Sequence, residues 1–249
     1  MLRLEHLSKD FLGLRALNDV SFEIKKGELV GLIGPNGSGK TTLFNCVTGF
    51  LKSSGGRVIW KDEEITNLTP HLIALKGISR TFQQIHVFEK LTVTENLMLA
   101  LQQYQGERIF SSILKTPSIR QLEQVAHDRA VEWLAFADML RVKDELAGNL
   151  SYGQQKILSF LSTLMPSPSI ILLDEPAAAV NPTLIGKFMD HILELNAQGQ
   201  TFLIVEHNME VIMRLCSRVI VLNFGTKIAE GNPAEVRENP EVIEAYFGV

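Results

Sequence analysis

A glycine-rich segment that ends in a lysine and a threonine constrains this chain more than any other feature. Residues 34–41 read G-P-N-G-S-G-K-T, which matches the pattern G-x-x-x-x-G-K-[ST]. An apolar run at 29–33 precedes the segment, and a helical pattern at 41–50 follows it. A glycine-rich turn between a buried strand and a helix predicts a phosphate-binding loop in an α/β fold.

The residue types in this loop explain why it suits a triphosphate. Glycines let backbone N–H groups turn inward around phosphate oxygens, and the start of a helix directs its positive end at the anion. Lys40 adds a full charge near the β- and γ-phosphates, and the Thr41 hydroxyl can bind Mg²⁺. The predicted nucleotide contacts in this loop are Gly34, Pro35, Asn36, Gly37, Ser38, Gly39, Lys40, Thr41 and Thr42.

A second predicted strand, 170–173, ends in two acidic residues, Asp174 and Glu175. Side chains alternate along a strand, so adjacent carboxylates point in different directions and can take different roles. Asp174 suits a contact to Mg²⁺ through water, and Glu175 suits the orientation or deprotonation of an attacking water. In isolation, such a pair would be read as a polar strand end that leads into a turn; the phosphate-binding loop favours the catalytic interpretation.

Residues 150–155, L-S-Y-G-Q-Q, open another predicted helix. Ser151 and Gln154 form the S-x-x-Q pattern of a capping box. A helix start with a serine and a glycine is also suited to bind phosphate, and the two interpretations are compatible because they use the same exposed donors.

The bulk properties exclude some classes of function. The 249 residues carry a formal net charge of −4, which argues against a protein that coats nucleic acid. Cys46 and Cys216 are far apart and in no C-x-x-C pattern, which indicates buried reduced thiols. No signal peptide and no apolar run long enough to cross a bilayer is expected, so work at a membrane would need a partner that spans it.

The chain is predicted to fold as α/β: a phosphate-loop NTPase core with a mainly parallel sheet, an N-terminal antiparallel β subdomain and a helical subdomain. Val20, Phe22 and Ile24 alternate with polar residues, as in a half-buried strand. Apolar runs at 202–205 and 219–222 predict two further strands, and residues 93–104 are predicted to be helical. Residues 1–87 and 150–249 are assigned to the core and about 88–149 to the helical subdomain. Residues 105–118 are expected to form a loop or insertion.

Along its whole length the chain resembles the ATP-binding subunits of ABC transporters. Phe11 matches the aromatic residue that stacks on adenine, Gln83 the glutamine that reaches Mg²⁺ and moves with the transmembrane partner, and His207 the switch histidine near the γ-phosphate. Residues 151–154 match the family's signature. Each residue alone would be ordinary core or surface; their joint order and spacing carry the resemblance.

A narrower resemblance is to the branched-chain amino acid importer ATPases. It rests on F-N-C-V-T-G-F at 44–50, R-T-F-Q at 80–83, N-P-E-V-I at 239–243 with Y-F-G at 246–248, and the insertion at 105–118. Urea or amide importers and lipopolysaccharide-export ATPases stay open as alternatives. A soluble cassette that acts on nucleic acid or ribosomes is a further alternative, although the two cassettes, coiled coil or zinc site usual in such proteins are not visible in the sequence. The signature and His207 argue against a small-molecule phosphoryl-transfer enzyme that uses the same loop.

The resemblance implies an ATPase that uses ATP and Mg²⁺ and works as a dimer of cassettes, as two copies or with a paralogue. One cassette would supply the phosphate-binding loop and the other Ser151, Gly153 and Gln154. Catalytic roles would fall on Glu175, His207 and Gln83, and metal contacts on Thr41, Gln83 and Asp174.

Transmembrane permease subunits would be partners, at the cytoplasmic face of the inner membrane, and nucleic acid would not. The sequence departs from the family pattern at Tyr152, Ser159, Ser162, Ala179 and Asn181. A tyrosine at position 152 is also familiar in the narrower subfamily. The departures at Ser159, Ser162, Ala179 and Asn181 predict a reduced or more partner-dependent ATPase rate.

Overall fold

The computed structural model describes residues 1–82, 86–101, 117–177 and 182–247. The chain divides into two compact units, the first formed by Met1–Gln83 with Ser169–Val249 and the second by Gln84–Pro168. The described strands, in chain order, are β1 (Leu2–Phe11), β2 (Leu14–Ile24), β3 (Leu29–Ile33), β4 (Gly55–Trp60), β5 (Glu63–Glu64), β6 (Ile78–Arg80), β7 (Ile170–Asp174), β8 (Thr201–Val205), β9 (Arg218–Asn223) and β10 (Thr226–Gly231). The described α-helices are α1 (Lys40–Val47), α2 (Pro70–Leu75), α3 (Val93–Ala100), α4 (Pro117–Phe136), α5 (Tyr152–Leu164), α6 (Pro182–Ala197), α7 (Met209–Leu215), α8 (Pro233–Glu238) and α9 (Pro240–Phe247).

The N-terminal part of the first unit is an antiparallel sheet in the order β2-β1-β4-β5. In β2 the apolar residues Val20, Phe22 and Ile24 are buried, and Glu23 between them is exposed. This confirms the predicted half-buried strand. The buried face belongs to the same apolar core as residues of β3 and α1.

The other sheet of the first unit has the order β10-β9-β3-β8-β7-β6 in the part of the chain that the structure describes. The strands from β9 to β6 run parallel, and β10 pairs antiparallel at the edge. Every residue of β3, β7 and β8 is buried, as expected for a parallel sheet covered on both faces. The α/β fold class and the strands predicted at 170–173, 202–205 and 219–222 are confirmed.

Parallel pairing brings the carboxyl ends of β3, β8 and β7 to one edge of this sheet. Leu32 of β3 and Asp174 of β7 both pair with Val205, the last residue of β8. The segments that leave these three strands therefore start side by side. Ligands of open α/β sheets bind at such an edge.

The second unit is helical where the structure describes it and contains α3, α4 and α5. Two short 3-10 turns, Leu140–Val142 and Ala147–Asn149, lie between α4 and α5. A capping box starts α3: the Thr92 side chain accepts from the Glu95 N–H, and Glu95 accepts in return from the Thr92 N–H at 2.7 Å. The predicted helix 93–104 ends at Ala100.

The predicted loop 105–118 is wrong at its end, because Pro117 and Ser118 belong to α4. A proline without an N–H fits the first turn of a helix, where that N–H has no intrahelical acceptor. Residues 102–116 lie outside the described residues.

The boundaries of the units also differ from those expected at 88 and 150. Helix α5 lies within the residues expected in the core, 150–249, whereas the structure groups it with the second unit. The reason is packing, since α5 contacts α3. Its buried apolar face is formed by Ile157, Leu158, Phe160, Leu161 and Leu164.

The two cysteines are buried and free, as predicted. Burial raises the pKa of Cys46 to about 11 and that of Cys216 to about 12, so both stay protonated thiols near neutral pH. Among the described helices, none combines the length and the apolar character needed to span a bilayer.

Candidate nucleotide site

The glycine-rich loop leaves the fully buried strand β3 and enters α1 at Lys40. At two of its positions, 34 and 39, no residue type other than glycine fits. Gly34 has φ 150°, and a Cβ there would lie 2.1 Å from the Leu222 carbonyl oxygen. Gly39 has φ 102°, and its Cβ would lie 2.7 Å from the Ala16 carbonyl oxygen. The sequence pattern therefore reflects backbone packing as well as space for phosphate.

The start of α1 provides free backbone donors. Gly39 precedes the helix in a left-handed conformation, and no side chain of a described residue caps the first turn. The first N–H groups of a helix have no intrahelical acceptors, so they and the helix dipole favour an anion at this position. The hydroxyl-bearing residue of that turn, Thr41, is exposed.

Lys40 is folded back onto its own loop. Its Nζ donates to the carbonyl oxygens of Gly34 at 2.8 Å and Pro35 at 2.9 Å, and to the Ser38 hydroxyl at 3.3 Å. Only 9% of Lys40 is exposed. The ammonium group is thus held over the loop by neutral acceptors, which a phosphate oxygen could replace.

The two acidic residues at the end of β7 have different surroundings, as predicted. Asp174 is the last residue of the strand and is buried. Glu175 adopts a left-handed backbone conformation, φ 48°, while its N–H still donates to the Val205 carbonyl at 2.9 Å. The turn therefore starts at Glu175 itself and separates the directions of the two carboxylates.

Asp174 forms a buried ion pair with Arg80, whose Nη2 donates to Oδ2 at 2.8 Å. The Asp174 N–H donates to the Thr81 hydroxyl at 3.1 Å. Within the described ranges no hydrogen bond reaches the second carboxylate oxygen, Oδ1. That oxygen is available for a metal-bound water.

The loop and the carboxylates act on one another electrostatically. Burial lowers the pKa of Lys40, and the negative charges of Glu175 and Asp174 oppose that effect. The charges of the two motifs are therefore close enough to interact. This agrees with their positions at one edge of the sheet.

The segment after β8 completes this edge with Glu206 and His207. The Glu206 side chain is buried; its Oε1 accepts from the Ala177 N–H at 2.7 Å, and Oε2 accepts from the N–H groups of His207 and Asn208 at 3.2 and 3.4 Å. His207 is exposed, and its Nδ1 lies 3.7 Å from Glu175 Oε1. Glu206 thus links the chain beyond Glu175 to the start of the histidine segment.

Phe11, the predicted adenine contact, ends β1 and is 39% exposed. The Nζ of Lys9 lies 4.7 Å from the centre of its ring. A half-exposed aromatic ring can stack against a flat heterocycle, although Lys9 already lies near this ring.

The C-terminal helix α9 also reaches the loop. Burial raises the pKa of Tyr246, and the nearby backbone of Gly34 opposes this rise. The hydroxyl makes no hydrogen bond of ordinary geometry to another described residue. The segment that carries the narrower sequence resemblance therefore lies beside the first glycine of the loop.

In the second unit, Ser151 caps α5. The Ser151 N–H and hydroxyl both donate to Gln154 Oε1, at 3.0 and 2.9 Å, and the Gln154 N–H donates to the Ser151 hydroxyl at 3.4 Å. The capping-box interpretation is confirmed. Ser151 is exposed and Gly153 half-buried, so the helix start is open to solvent.

The departures from the family pattern have partial explanations. Tyr152 is exposed at the start of α5. Ser162 donates to the Leu158 carbonyl one turn earlier at 2.9 Å, so its hydroxyl needs no partner from another element. The structure offers no account of Ser159. Ala179 and Asn181 lie outside the described residues, and so does Gln83.

Two residues at the sheet edge were missed by sequence reasoning, Arg80 and Glu206. Both are buried charged side chains next to predicted functional residues. A charge within or directly after a predicted buried strand is unusual. That signal was present in both places and could have identified them.

The donors present fit Mg²⁺ only together with phosphate. Among the described residues, no group of three or more His, Cys, Asp or Glu side chains could hold a metal ion. Thr41 offers an exposed hydroxyl, and Asp174 offers a carboxylate oxygen, Oδ1, that no described residue hydrogen-bonds. Mg²⁺ is commonly bound by one or two protein oxygens plus substrate phosphates, which matches this donor set.

Comparison with known proteins agrees with the geometry. Residues 17–178 match the family model "ABC transporter", and residues 226–249 match "Branched-chain amino acid ATP-binding cassette transporter". The chain is 42% identical over 249 residues to the high-affinity branched-chain amino acid transport ATP-binding protein LivG of Escherichia coli, covering 100% of this chain and 98% of LivG.

Two groups of solved structures are also similar. An ATP-binding cassette of an ABC transporter in its ADP conformation is 38% identical, with a TM-score of 0.86 over 100% of this chain and 99% of that one. A dimeric cassette in a post-hydrolysis state, bound to ADP and Pi, is 28% identical with a TM-score of 0.78 over 94% of this chain and 99% of that one.

Proposed function

The chain belongs to the ABC transporter family of ATP-binding cassette ATPases, and on that premise we propose that it energises an importer of branched-chain or related hydrophobic amino acids. One observation best supports ATP hydrolysis: four functional side chains lie at the edge of the sheet where β3, β7 and β8 end, namely Lys40, Asp174, Glu175 and His207. The solute class is supported by LivG and by the C-terminal match at 226–249.

The loop would bind the phosphates of ATP. Lys40 would exchange the carbonyl oxygens of Gly34 and Pro35 for phosphate oxygens, which carry full charge and bind an ammonium group more strongly. The open N–H groups at the start of α1 would hold the same anion. Phe11 would stack on the adenine.

Mg²⁺ would be held by Thr41 and Asp174, with Gln83 as a further contact. When bound, it would neutralise charge on the β- and γ-phosphate oxygens. Glu175 would orient the attacking water and accept its proton, and His207, 3.7 Å from Glu175, would face the same reacting group.

A second cassette would complete the site. The exposed start of α5, with Ser151, Gly153 and Gln154, would contact the γ-phosphate bound to the loop of the other cassette. The dimeric cassette that is 28% identical to this chain supports such an assembly. The same N–H groups that Ser151 and Gln154 cap would serve the phosphate.

The cassette would work with transmembrane permease subunits at the cytoplasmic face of the inner membrane. Gln83 would follow the movement of the permease. Four positions differ from the usual residues, and with them hydrolysis by the isolated chain would be slow and would depend on the partners: Ser159, Ser162, Ala179 and Asn181. A basal rate equal to that of relatives with the usual residues would contradict this.

Transport in proteoliposomes tests the proposal. The chain would be reconstituted with the membrane-spanning permease subunits with which it co-purifies, and uptake of leucine, isoleucine and valine would be measured with and without ATP. We expect ATP-dependent uptake that is lost with Glu175→Gln. Uptake of urea but of none of these amino acids, or sedimentation of the chain with RNA in an RNase-sensitive form, would overturn it.

A further inference from the structure

Arg80 is a buried cation near the nucleotide site, and none of the proposed steps of nucleotide binding or hydrolysis uses it. Its side chain is 6% exposed, and Asp174, its partner, is 7% exposed. It ends β6, two residues before the end of the first described range. A charge this deeply buried is retained only where other groups compensate it.

Arg80 joins two elements that meet at the nucleotide site. One end of the guanidinium holds Asp174 of β7. The other end, Nη1, donates to Asn45 Oδ1 at 2.6 Å and to Thr48 Oγ1 at 3.3 Å. Asn45 lies in α1 and Thr48 directly follows it, so Arg80 ties the helix that begins with the phosphate-binding loop to the strand that ends with the metal-binding carboxylate.

Two aromatic rings keep the guanidinium in place. Its central carbon lies 5.3 Å from the ring centres of both Phe44 and Phe82. Its Nε is buried and has no hydrogen-bond partner among the described residues. The guanidinium is therefore held by cation–π contacts and by hydrogen bonds from its two terminal nitrogens, a set of contacts that the single ammonium group of lysine cannot reproduce.

We propose that Arg80 is a positioning residue of the ATPase, which holds the Asp174 carboxylate in register with α1 and keeps its affinity for free Mg²⁺ low until nucleotide arrives. The proposal rests on the proposed role of Asp174 at the metal. The positive charge 2.8 Å from Oδ2 offsets the carboxylate and repels a second cation. Mg²⁺ then binds only when phosphate oxygens add their negative charge.

The experiment compares Arg80→Met and Arg80→Lys with Arg214→Met. Arg214 forms an Arg–Asp ion pair with Asp190 at 2.6 Å on the surface, so it is a matched control for the loss of one such pair. Thermal unfolding without nucleotide would be recorded in EDTA and in millimolar Mg²⁺. Binding of a fluorescent ATP analogue would be titrated with Mg²⁺.

For Arg80→Met we expect a lower unfolding temperature in EDTA that Mg²⁺ partly restores, because the uncompensated carboxylate now attracts the cation. The Mg²⁺ concentration for half-maximal nucleotide binding should fall by about threefold or more. Arg80→Lys should keep the Mg²⁺ dependence near that of the wild type with a lower turnover. Arg214→Met should change neither Mg²⁺ response.

Equal destabilisation of Arg80→Met in EDTA and in Mg²⁺, with an unchanged Mg²⁺ dependence of nucleotide binding, would overturn the proposal. If Arg80→Met does not fold, Arg80→Met/Asp174→Asn removes both charges; it should recover stability and show no Mg²⁺ response without nucleotide. A Mg²⁺ response in that double variant would also overturn it. Asp174→Asn alone tests the metal role of Asp174 separately from the role of Arg80. An unchanged Mg²⁺ dependence of nucleotide binding in that variant would refute the metal role of Asp174 itself.

Discussion

The phosphate-binding loop after β3 and the carboxylate pair after β7 leave the same edge of one sheet, yet they are held in different ways. The charged side chain of the loop is held from within it, because Lys40 donates to Gly34, Pro35 and Ser38, all within six residues of it. The carboxylate end depends on other parts of the chain. Asp174 is held by Arg80, 94 residues away, and Glu175 by Val205 of the next strand.

The difference teaches where function is encoded. A locally stabilised loop is a contiguous sequence pattern, and single substitutions within it should affect nucleotide binding directly. A carboxylate held by distant partners can be disturbed from several places in the chain, with graded effects. The predictions below test this contrast, beginning with the largest effect.

Lys40→Met removes the only full positive charge within the loop. We expect ATP hydrolysis to fall by about a hundredfold or more, together with a loss of nucleotide affinity. Steady-state ATPase assays and calorimetric binding measure the two effects. Lys76→Met, which removes a lysine paired with Glu63 outside the loop, is the control. A Lys40→Met variant that binds nucleotide with wild-type affinity would contradict the proposed difference between the loop and the carboxylate pair.

Glu175→Gln keeps the size of the side chain and removes its ability to accept a proton. Turnover should fall by about a hundredfold while ATP affinity is retained, because a general base contributes to the chemical step and not to binding. Gel filtration with ATP should show a trapped dimer. Unchanged turnover would remove Glu175 from the catalytic role.

Glu206→Gln should have an intermediate effect. One amide oxygen replaces two carboxylate oxygens that accept three N–H groups. We expect turnover to fall by about tenfold, and Glu206→Asp to recover part of it, since buried N–H groups without acceptors shift the segments they belong to. Hydrogen exchange should speed up at the amides of Ala177, His207 and Asn208. Unchanged exchange would show that Glu206 does not hold these segments.

Thr81→Val should have the smallest effect. It removes the acceptor for the Asp174 N–H, and we expect a loss of about 1 kcal/mol in the free energy of unfolding. Thr66→Val is a matched control, since its hydroxyl accepts from the Val58 N–H away from the site. Chemical denaturation should give similar losses for both, and only Thr81→Val should weaken Mg²⁺-dependent nucleotide binding. An equal effect of Thr66→Val on nucleotide binding would argue against a specific link to Asp174.

The same contrast explains what the sequence could predict. Several local features follow from patterns within a few residues and are confirmed by the structure: the turn between β3 and α1, the strands β3, β7, β8 and β9, and the cap of α5. The Arg80–Asp174 pair and the Glu206 contacts join residues that lie far apart in the chain or belong to separate turns. No local pattern encodes such pairings, because they depend on which strands become neighbours. The grouping of α5 with the second unit also depends on a contact between separate elements, since α5 packs against α3.

The left-handed backbone at Glu175 has a practical consequence. A residue with a Cβ in that region costs about 1–2 kcal/mol, a strain that glycine avoids and asparagine tolerates more easily. Selection for thermal stability alone would therefore favour Glu175→Gly or Glu175→Asn, and the more stable protein would no longer turn over ATP. Libraries intended to make this cassette more robust need a turnover screen at every round.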